Sequence, residues 1–228
     1  MKLHRYGERG LVTAWLESVR RDDGALVACL ERATQVREKA DIPRWPRAGE
    51  VDVYVEPSLS EFGNPDAVLL FGKRCAVFVE AKMCGFLDSG RTEAHDRNSS
   101  SLLHELYLKH AFCVHGRKAT AGEPVKGLVY VGDRHGAARS SGTDAFVVKL
   151  VRRLLAVREV RYLAITNDVR DEMDRTAIRR RAWRVFTQND VKRFEDFLDR
   201  LHVLTWSDIA DVARAREMAE FLEAFDEN

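Results

Sequence analysis

The spacing of apolar and polar residues changes several times along the chain, and each change marks a predicted element. Near the N-terminus, apolar residues at helical spacing predict helices over about 6–20 and 25–39. Val51, Val53 and Val55 then alternate with polar residues, as the side chains of a half-buried strand do. The chain therefore begins with two helices and passes into a β-sheet.

Two short apolar runs follow, over 67–71 and 75–79, and the residues Gly72-Lys73-Arg74 between them predict a tight turn. Because both faces of these runs are apolar, we expect the hairpin to lie centrally in the sheet, covered on both sides. This order predicts an α/β fold with a mixed central β-sheet flanked by helices. The later predicted elements are helices over 99–114, 143–157, 190–201 and 207–225, the last capped by Ser207, and strands over 127–131, 160–166, 185–187 and 203–206.

The turn fixes the expected register of this hairpin. If Lys73 is the turn centre, residues at equal distances from it lie opposite each other, and Asp66 faces Glu80. Side chains alternate between the two faces of a strand, so both carboxylates and Lys82 fall on one face. A slip of one residue would separate the two carboxylates, so the argument depends on this register.

Two carboxylates about 5 Å apart at the end of a buried hairpin repel each other, and this repulsion has to be offset. Lys82 offsets part of it, and a bound divalent cation offsets more. Hard oxygen ligands of this kind suit Mg²⁺ or Mn²⁺. The structural alternative is that Asp66 simply begins a strand after Pro65, while Glu80 forms an ion pair with Lys82 at a strand end.

The first helix carries a further acid. At about 100° per residue, Leu11, Val12 and Trp15 point close to the direction of Glu8, whereas Glu17 points to the opposite side. Glu8 therefore lies on the core-facing stripe near the start of the helix. From there it is able to turn towards the end of the hairpin.

Pro65-Asp66, followed by two strands and Glu80-Ala81-Lys82, resembles the signature of the PD-(D/E)XK nuclease superfamily. The predicted helix and strand after the hairpin continue the α-β-β-β-α-β order of that family. The resemblance implies a restriction-endonuclease-like core, to which this chain adds further C-terminal strands and helices.

Two other positions bear on the same resemblance. The family carries a glutamate on its first core helix, and Glu8 matches that position. Some branches also carry a glutamine before a tyrosine on the helix after the hairpin. Here His104 and Glu105 stand before Tyr107, and no glutamine does.

What the resemblance implies chemically is metal-dependent hydrolysis of phosphodiester bonds. Asp66, Glu80 and the backbone carbonyl of Ala81 would hold Mg²⁺ or Mn²⁺. Lys82 would orient or help to deprotonate the attacking water and stabilise the developing charge. Glu8 would complete the catalytic set.

We therefore expect one domain over 1–228, with the nuclease-like core over about 6–166 and a C-terminal extension over about 167–228. The expected activity is that of a magnesium-dependent nuclease acting on DNA rather than on RNA. The alternative is a non-catalytic nucleic-acid-binding or scaffold protein on the same fold.

Charge gives only a local argument for nucleic acid as the partner. Lys and Arg number 37 and Asp and Glu number 36, so the net charge is +1 and no global attraction to nucleic acid is expected. Arg179, Arg180 and Arg181 form a basic run that is a candidate phosphate-contacting surface. The alternative is a solvated helix face, because acidic residues over 168–174 neutralise its approach.

Composition bounds the remaining classes of protein. Of the 228 residues, 45% are hydrophobic and 32% charged, which permits a sizeable core and excludes a disordered chain. No stretch approaches the roughly 18 apolar residues of a membrane span, and polar residues 1–10 lack the apolar segment of a secretory signal. The four cysteines contain no CxxC pair. We therefore expect a cytoplasmic protein with no membrane partner, and we consider a homodimer as its assembly.

Overall fold

The computed structural model of the chain describes residues 7–36, 45–46, 51–59, 62–83, 102–120, 142–167 and 191–226. The helices within these ranges are α1 (Gly7–Val19), α2 (Asp23–Arg32), α3 (Leu102–Thr120), α4 (Gly142–Ala156), α5 (Val191–Leu198), α6 (Trp206–Ala215) and α7 (Ala219–Asp226). The strands are β1 (Thr34–Gln35), β2 (Asp52–Val55), β3 (Ala67–Phe71), β4 (Cys75–Ala81), β5 (Glu159–Thr166) and β6 (Leu201–Thr205).

The described strands form one six-stranded sheet in the order β1-β6-β5-β4-β3-β2. Strands β2, β3 and β4 are antiparallel neighbours, whereas β4, β5 and β6 run parallel to one another. At the far edge, β1 pairs antiparallel with β6. The predicted α/β class with a mixed central sheet flanked by helices is confirmed.

Both faces of the central hairpin are covered by helices, and every residue of β3 and β4 is buried. Helices α3, α4 and α5 pack on the face that carries Val68 and Phe78. Helices α1, α2, α6 and α7 pack on the face that carries Leu69 and Val77. Because full burial of one such side chain contributes about 1.5–3 kcal/mol, the two layers fix the hairpin in the middle of the sheet.

The second helix is shorter than the sequence predicts. It ends at Arg32, and the predicted continuation to residue 39 is wrong, because Thr34 and Gln35 leave the helix and pair with β6. Their partners, Val203 and His202, come from the C-terminal part of the chain. A helical spacing of apolar residues carries no information about such a distant backbone pairing.

The cap of the helix after β6 also differs from the prediction. The strand ends at Thr205 and Trp206 already begins α6, so Ser207 is not the N-cap. Instead the Thr205 side chain accepts a hydrogen bond from the backbone N–H of Asp208, whose carboxylate accepts from the Thr205 N–H. This reciprocal arrangement satisfies two backbone donors at the helix start.

The single helix predicted over 207–225 is two helices. They are separated at Glu217, which has a left-handed backbone with φ +54°. Neither glycine nor proline marks this break, so no conventional sequence signal predicts it.

Helix α3 is longer than predicted. It runs to Thr120, beyond the predicted end at residue 114.

Some predicted features lie outside the described residues. These are the strands over 127–131 and 185–187 and the basic run of Arg179, Arg180 and Arg181. Among the helices that the structure describes, none combines the length and the apolar character needed to cross a membrane.

Candidate active site

The hairpin of β3 and β4 has the register that its turn predicts. Val68 pairs with Phe78 and Leu70 pairs with Ala76. Asp66 comes immediately before β3, and Glu80 is the penultimate residue of β4. The register therefore brings these two acids to the same end of the hairpin.

Asp66 is tied directly to the end of β4. Its Oδ2 accepts a hydrogen bond of 2.8 Å from the backbone N–H of Ala81. In an extended strand the N–H and C=O of one residue point to the same side, so the Ala81 carbonyl also faces the Asp66 edge. Burial raises the pKa of the Asp66 carboxyl, although the Ala81 N–H and the charge of Lys82 act in the opposite direction.

Glu80 is paired with a lysine that comes from α3. The Nζ of Lys109 lies 2.8 Å from Oε1 of Glu80, and the exposed fractions of the two side chains are only 2% and 3%. Burial raises the pKa of Glu80, the ammonium group of Lys109 lowers it, and the nearby Asp66 adds to the rise. Glu80 is thus a deeply buried acid with a protein cation already beside it.

Lys82 lies between two acids from different helices. Its Nζ is 3.7 Å from Oε2 of Glu8 on α1 and 3.5 Å from Oε2 of Glu105 on α3. Burial lowers the pKa of Lys82, but Glu105, Glu8 and the hairpin acids outweigh this effect, so the pKa lies above its ordinary value. Lys82 is therefore an ammonium ion at neutral pH.

The backbone that carries Lys82 is held on several sides. Glu8 Oε1 accepts a hydrogen bond of 2.9 Å from the N–H of Met83, whose carbonyl accepts from the side-chain amide of Asn167. The N–H of Lys82 donates to the carbonyl of Ile165 over 2.8 Å, which continues the β4–β5 pairing. These contacts fix the point where the chain leaves the sheet.

The site as a whole is rich in acids. Four acidic side chains lie around two lysines at one end of the sheet; the acids are Glu8, Asp66, Glu80 and Glu105, and the lysines are Lys82 and Lys109. Because burial raises the pKa of Glu80 to about 8 and also raises the pKa of Asp66, the acids carry less than their formal negative charge at neutral pH.

The residues present fit a hard divalent cation through two side chains and a carbonyl. Within the described ranges, no group of three or more His, Cys, Asp or Glu side chains is arranged as a metal site. The set that the resemblance implies has only two acids, Asp66 and Glu80, with the Ala81 carbonyl as its third ligand. Oxygen donors of this kind are the ligands that Mg²⁺ and Mn²⁺ prefer.

Sequence reasoning identified Glu8, Asp66, Glu80 and Lys82, and the structure brings all four to one end of the hairpin. It missed Lys109, and it noted Glu105 only as a departure from the family pattern. A signal was present, since these two residues are four apart on a helix and so share a face.

Comparisons of the chain with protein-family models, with curated proteins and with solved structures find no match. In the site, Glu80 and Lys109 are almost fully buried, whereas 26% of the Lys82 side chain is exposed.

Proposed function

We propose that this protein is a metal-dependent nuclease that hydrolyses phosphodiester bonds, with DNA as its preferred substrate. The observation that carries the proposal is the convergence of Asp66, Glu80 and Lys82 at one end of a buried hairpin. A structural ion pair needs only one acid, whereas Lys82 has two acids within 4 Å in addition to the two acids of the hairpin. Asp66 and Glu80 supply the oxygen ligands that a divalent cation prefers.

The proposal includes a restriction-endonuclease-like core. Its support is the order of elements along the chain, in which α1 precedes the antiparallel strands β2, β3 and β4, with α2 and the short β1 between them, and α3 follows β4. After α4, strand β5 lies parallel to β4 and beside it. The strand over 127–131, which the resemblance places after the helix, lies outside the described residues.

Asp66, Glu80 and the carbonyl of Ala81 are the groups that would hold Mg²⁺ or Mn²⁺. When bound, such an ion makes water more acidic and neutralises charge on the phosphate oxygens. The hydrogen bond from the Ala81 N–H holds Oδ2 of Asp66 in place before any ion arrives. A ligand that is already positioned loses less conformational entropy on binding.

Lys82 acts in this mechanism as a fixed positive charge. Its raised pKa keeps the ammonium group protonated at neutral pH, so it does not serve as a general base in the free protein. An ammonium ion near the scissile phosphate stabilises the negative charge that develops there. It is also a donor that orients the attacking water.

Glu8 and Glu105 are positioning residues for Lys82. They lie 3.7 and 3.5 Å from its ammonium group and come from helices in the two layers that cover the sheet. Two acids restrict the lysine side chain more than a single partner does. The position of the charge therefore depends on both layers.

A second candidate function is a non-catalytic nucleic-acid-binding or scaffold protein on the same fold. The observation that favours it is the buried contact of Lys109 with Glu80, which neutralises one of the two proposed metal ligands. This candidate predicts salt-dependent binding to nucleic acid that does not change in Asp66→Ala. The nuclease predicts cleavage that Asp66→Ala abolishes.

The test is incubation of the purified protein with Mg²⁺ or Mn²⁺ and plasmid, linear duplex, single-stranded DNA and RNA. We expect cleavage that EDTA stops and that is at least about 100-fold slower in Asp66→Asn and in Lys82→Met, the scale of losing a metal ligand or a charge-stabilising donor. Lys73→Met in the exposed turn and Asp52→Asn on β2 are matched controls that should retain activity. No cleavage of any of these substrates would contradict the proposal.

A further inference from the structure

The ammonium group of Lys109 is a buried charge. It is fully enclosed at the middle of α3, and its partner is Glu80 rather than Glu105, one helical turn away on the same face. Glu105 instead contacts Lys82. Each lysine therefore pairs with a glutamate from another element, and the pair of Lys109 and Glu80 is the more buried of the two.

The loop before β3 leaves room for this ammonium group. Gly63 has a left-handed backbone with φ +77°, and a Cβ atom at this residue would lie 3.0 Å from Nζ of Lys109. Any larger residue would push against the charge. The absence of a side chain at Gly63 and the pairing of Lys109 with Glu80 thus belong to one arrangement.

Because both side chains are buried, Glu80 and Lys109 each depend on the other for an opposite charge. A charge inside a protein is tolerated only when an opposite charge lies close to it, and removing one partner of a buried pair leaves the other uncompensated. Lys109 supplies that compensation from within the chain. A divalent cation at Asp66 and Glu80 would supply it a second time, and the two positive charges would repel each other across a poorly solvated space.

We propose that Lys109 is a built-in counter-ion that competes with the divalent cation for Glu80 and thereby weakens metal binding at the site. The inference rests on the proposed function, because it takes Asp66 and Glu80 as the metal ligands. It assigns to Lys109 a role in metal affinity, besides its contribution to packing. The opposite role, in which Lys109 holds Glu80 in a productive position, predicts the opposite sign.

The test is calorimetric titration of Mn²⁺ at pH 8.0 into the full chain and into Lys109→Met. We expect Mn²⁺ to bind Lys109→Met at least tenfold more tightly than wild type, and Asp66→Asn to abolish the binding in both backgrounds. Lys109→Gln, which keeps a polar head group near Glu80, should show the same direction. Circular dichroism and thermal unfolding verify that each variant is folded, and Lys109→Gln carries the test if Lys109→Met does not fold.

Arg153→Met is the matched control for the loss of one positive charge. Arg153 is bonded to Asp52 near the turn end of the hairpin, about 13 Å along the strands from Glu80 at about 3.3 Å per residue. Its substitution should leave Mn²⁺ affinity within twofold of wild type. If it tightens binding as much as Lys109→Met does, a general charge effect replaces the inference.

The two proposals fail in different ways. Equal or weaker Mn²⁺ binding in the folded Lys109 variants, or no Mn²⁺ binding in wild type and variants alike, would overturn the counter-ion role of Lys109. Tighter binding in those variants, together with a wild-type protein that cleaves no nucleic acid, would support the counter-ion role and overturn the nuclease. Tighter binding that persists in Asp66→Asn would also overturn the inference, because the ion would then lie elsewhere.

Discussion

Trp206 donates a hydrogen bond from its indole Nε1 to the backbone carbonyl of Lys82 over 3.0 Å. Trp206 is buried as the first residue of α6, so an element from the C-terminal part of the chain holds the backbone of the proposed catalytic lysine. Strand β6, which leads into α6, lies inside the sheet between β5 and β1. The C-terminal elements therefore take part in building the site.

Trp206→Phe should affect both stability and activity. It keeps most of the ring packing but leaves the Lys82 carbonyl without its donor, so we expect a loss of about 2 kcal/mol in the free energy of unfolding. Cleavage should fall about fivefold, which corresponds to about 1 kcal/mol in the barrier. Urea unfolding and single-turnover cleavage measure the two effects. Trp15→Phe, at a buried position of α1, is the control, and equal loss of activity in both variants would contradict the role of the hydrogen bond.

Glu8→Gln should reduce cleavage with little effect on stability. Glutamine still accepts the hydrogen bond from the Met83 N–H, but it removes one of the two charges that fix Lys82. We expect cleavage about tenfold slower and a change of unfolding free energy below about 0.5 kcal/mol. Glu17→Gln on the same helix is the matched control, and Glu8→Gln cleaving as fast as Glu17→Gln would show that the ion pair has no function.

Alanine substitutions at two glycines with left-handed backbones distinguish backbone strain from the contact with Lys109. Gly63 has φ +77° and Gly72 has φ +57°, so alanine at either residue costs about 1 kcal/mol in backbone strain. At Gly72 nothing lies within 4 Å of the added methyl group, whereas at Gly63 it meets Lys109 Nζ at 3.0 Å. Gly63→Ala should therefore be less stable than Gly72→Ala by at least about 1 kcal/mol in urea unfolding. Equal losses would mean that Lys109 moves aside freely.

His202 makes stability depend on pH. Burial, together with the charge of Arg161, lowers its pKa to about 4. Its Nδ1 lies 3.1 Å from the carbonyl of Arg200, and its ring is 4.7 Å from that of Trp45. The contact with the Arg200 carbonyl acts to raise the pKa, but burial and the charge of Arg161 outweigh it, so the folded protein holds His202 neutral at pH 7.

The direction of this pH dependence follows from the difference between the pKa of His202 in the folded protein and in the unfolded chain. The unfolded chain binds a proton at His202 below pH 6.5, while the folded protein does so only near pH 4, so the stabilisation is complete above pH 6.5 and is lost as pH falls towards 4. Between pH 7.5 and 5 we expect wild type to lose about 2 kcal/mol more than His202→Phe does. Urea unfolding at both pH values measures this difference. Parallel curves for the two proteins would contradict it.

The central part of the fold was predictable because its determinants are local. The turn over 72–74 and the apolar runs on either side of it contain the register of the hairpin, and the observed pairing of Val68 with Phe78 confirms it. The facing of Glu8 was also predictable, since it follows from the apolar stripe of a single helix. In both cases the information lies within about 15 residues.

The remaining features depend on contacts between distant parts of the chain. The early end of α2 results from the pairing of β1 with β6, and the contact of Lys109 with Glu80 results from the packing of α3 on β4. In the sequence, Lys109 is one charged residue on a long helix, and its spacing alone pairs it with Glu105. Only the packed structure shows that it turns to Glu80 instead.

The central claim is that the end of the hairpin holds a divalent cation between two acids. Its most direct test is a crystal soaked in Mn²⁺, with an anomalous difference map calculated at the manganese edge. We predict a peak about 2.1 Å from carboxylate oxygens of both Asp66 and Glu80. A map of well-ordered Asp66 and Glu80 with no peak between them, and with Lys109 still paired with Glu80, would contradict the claim.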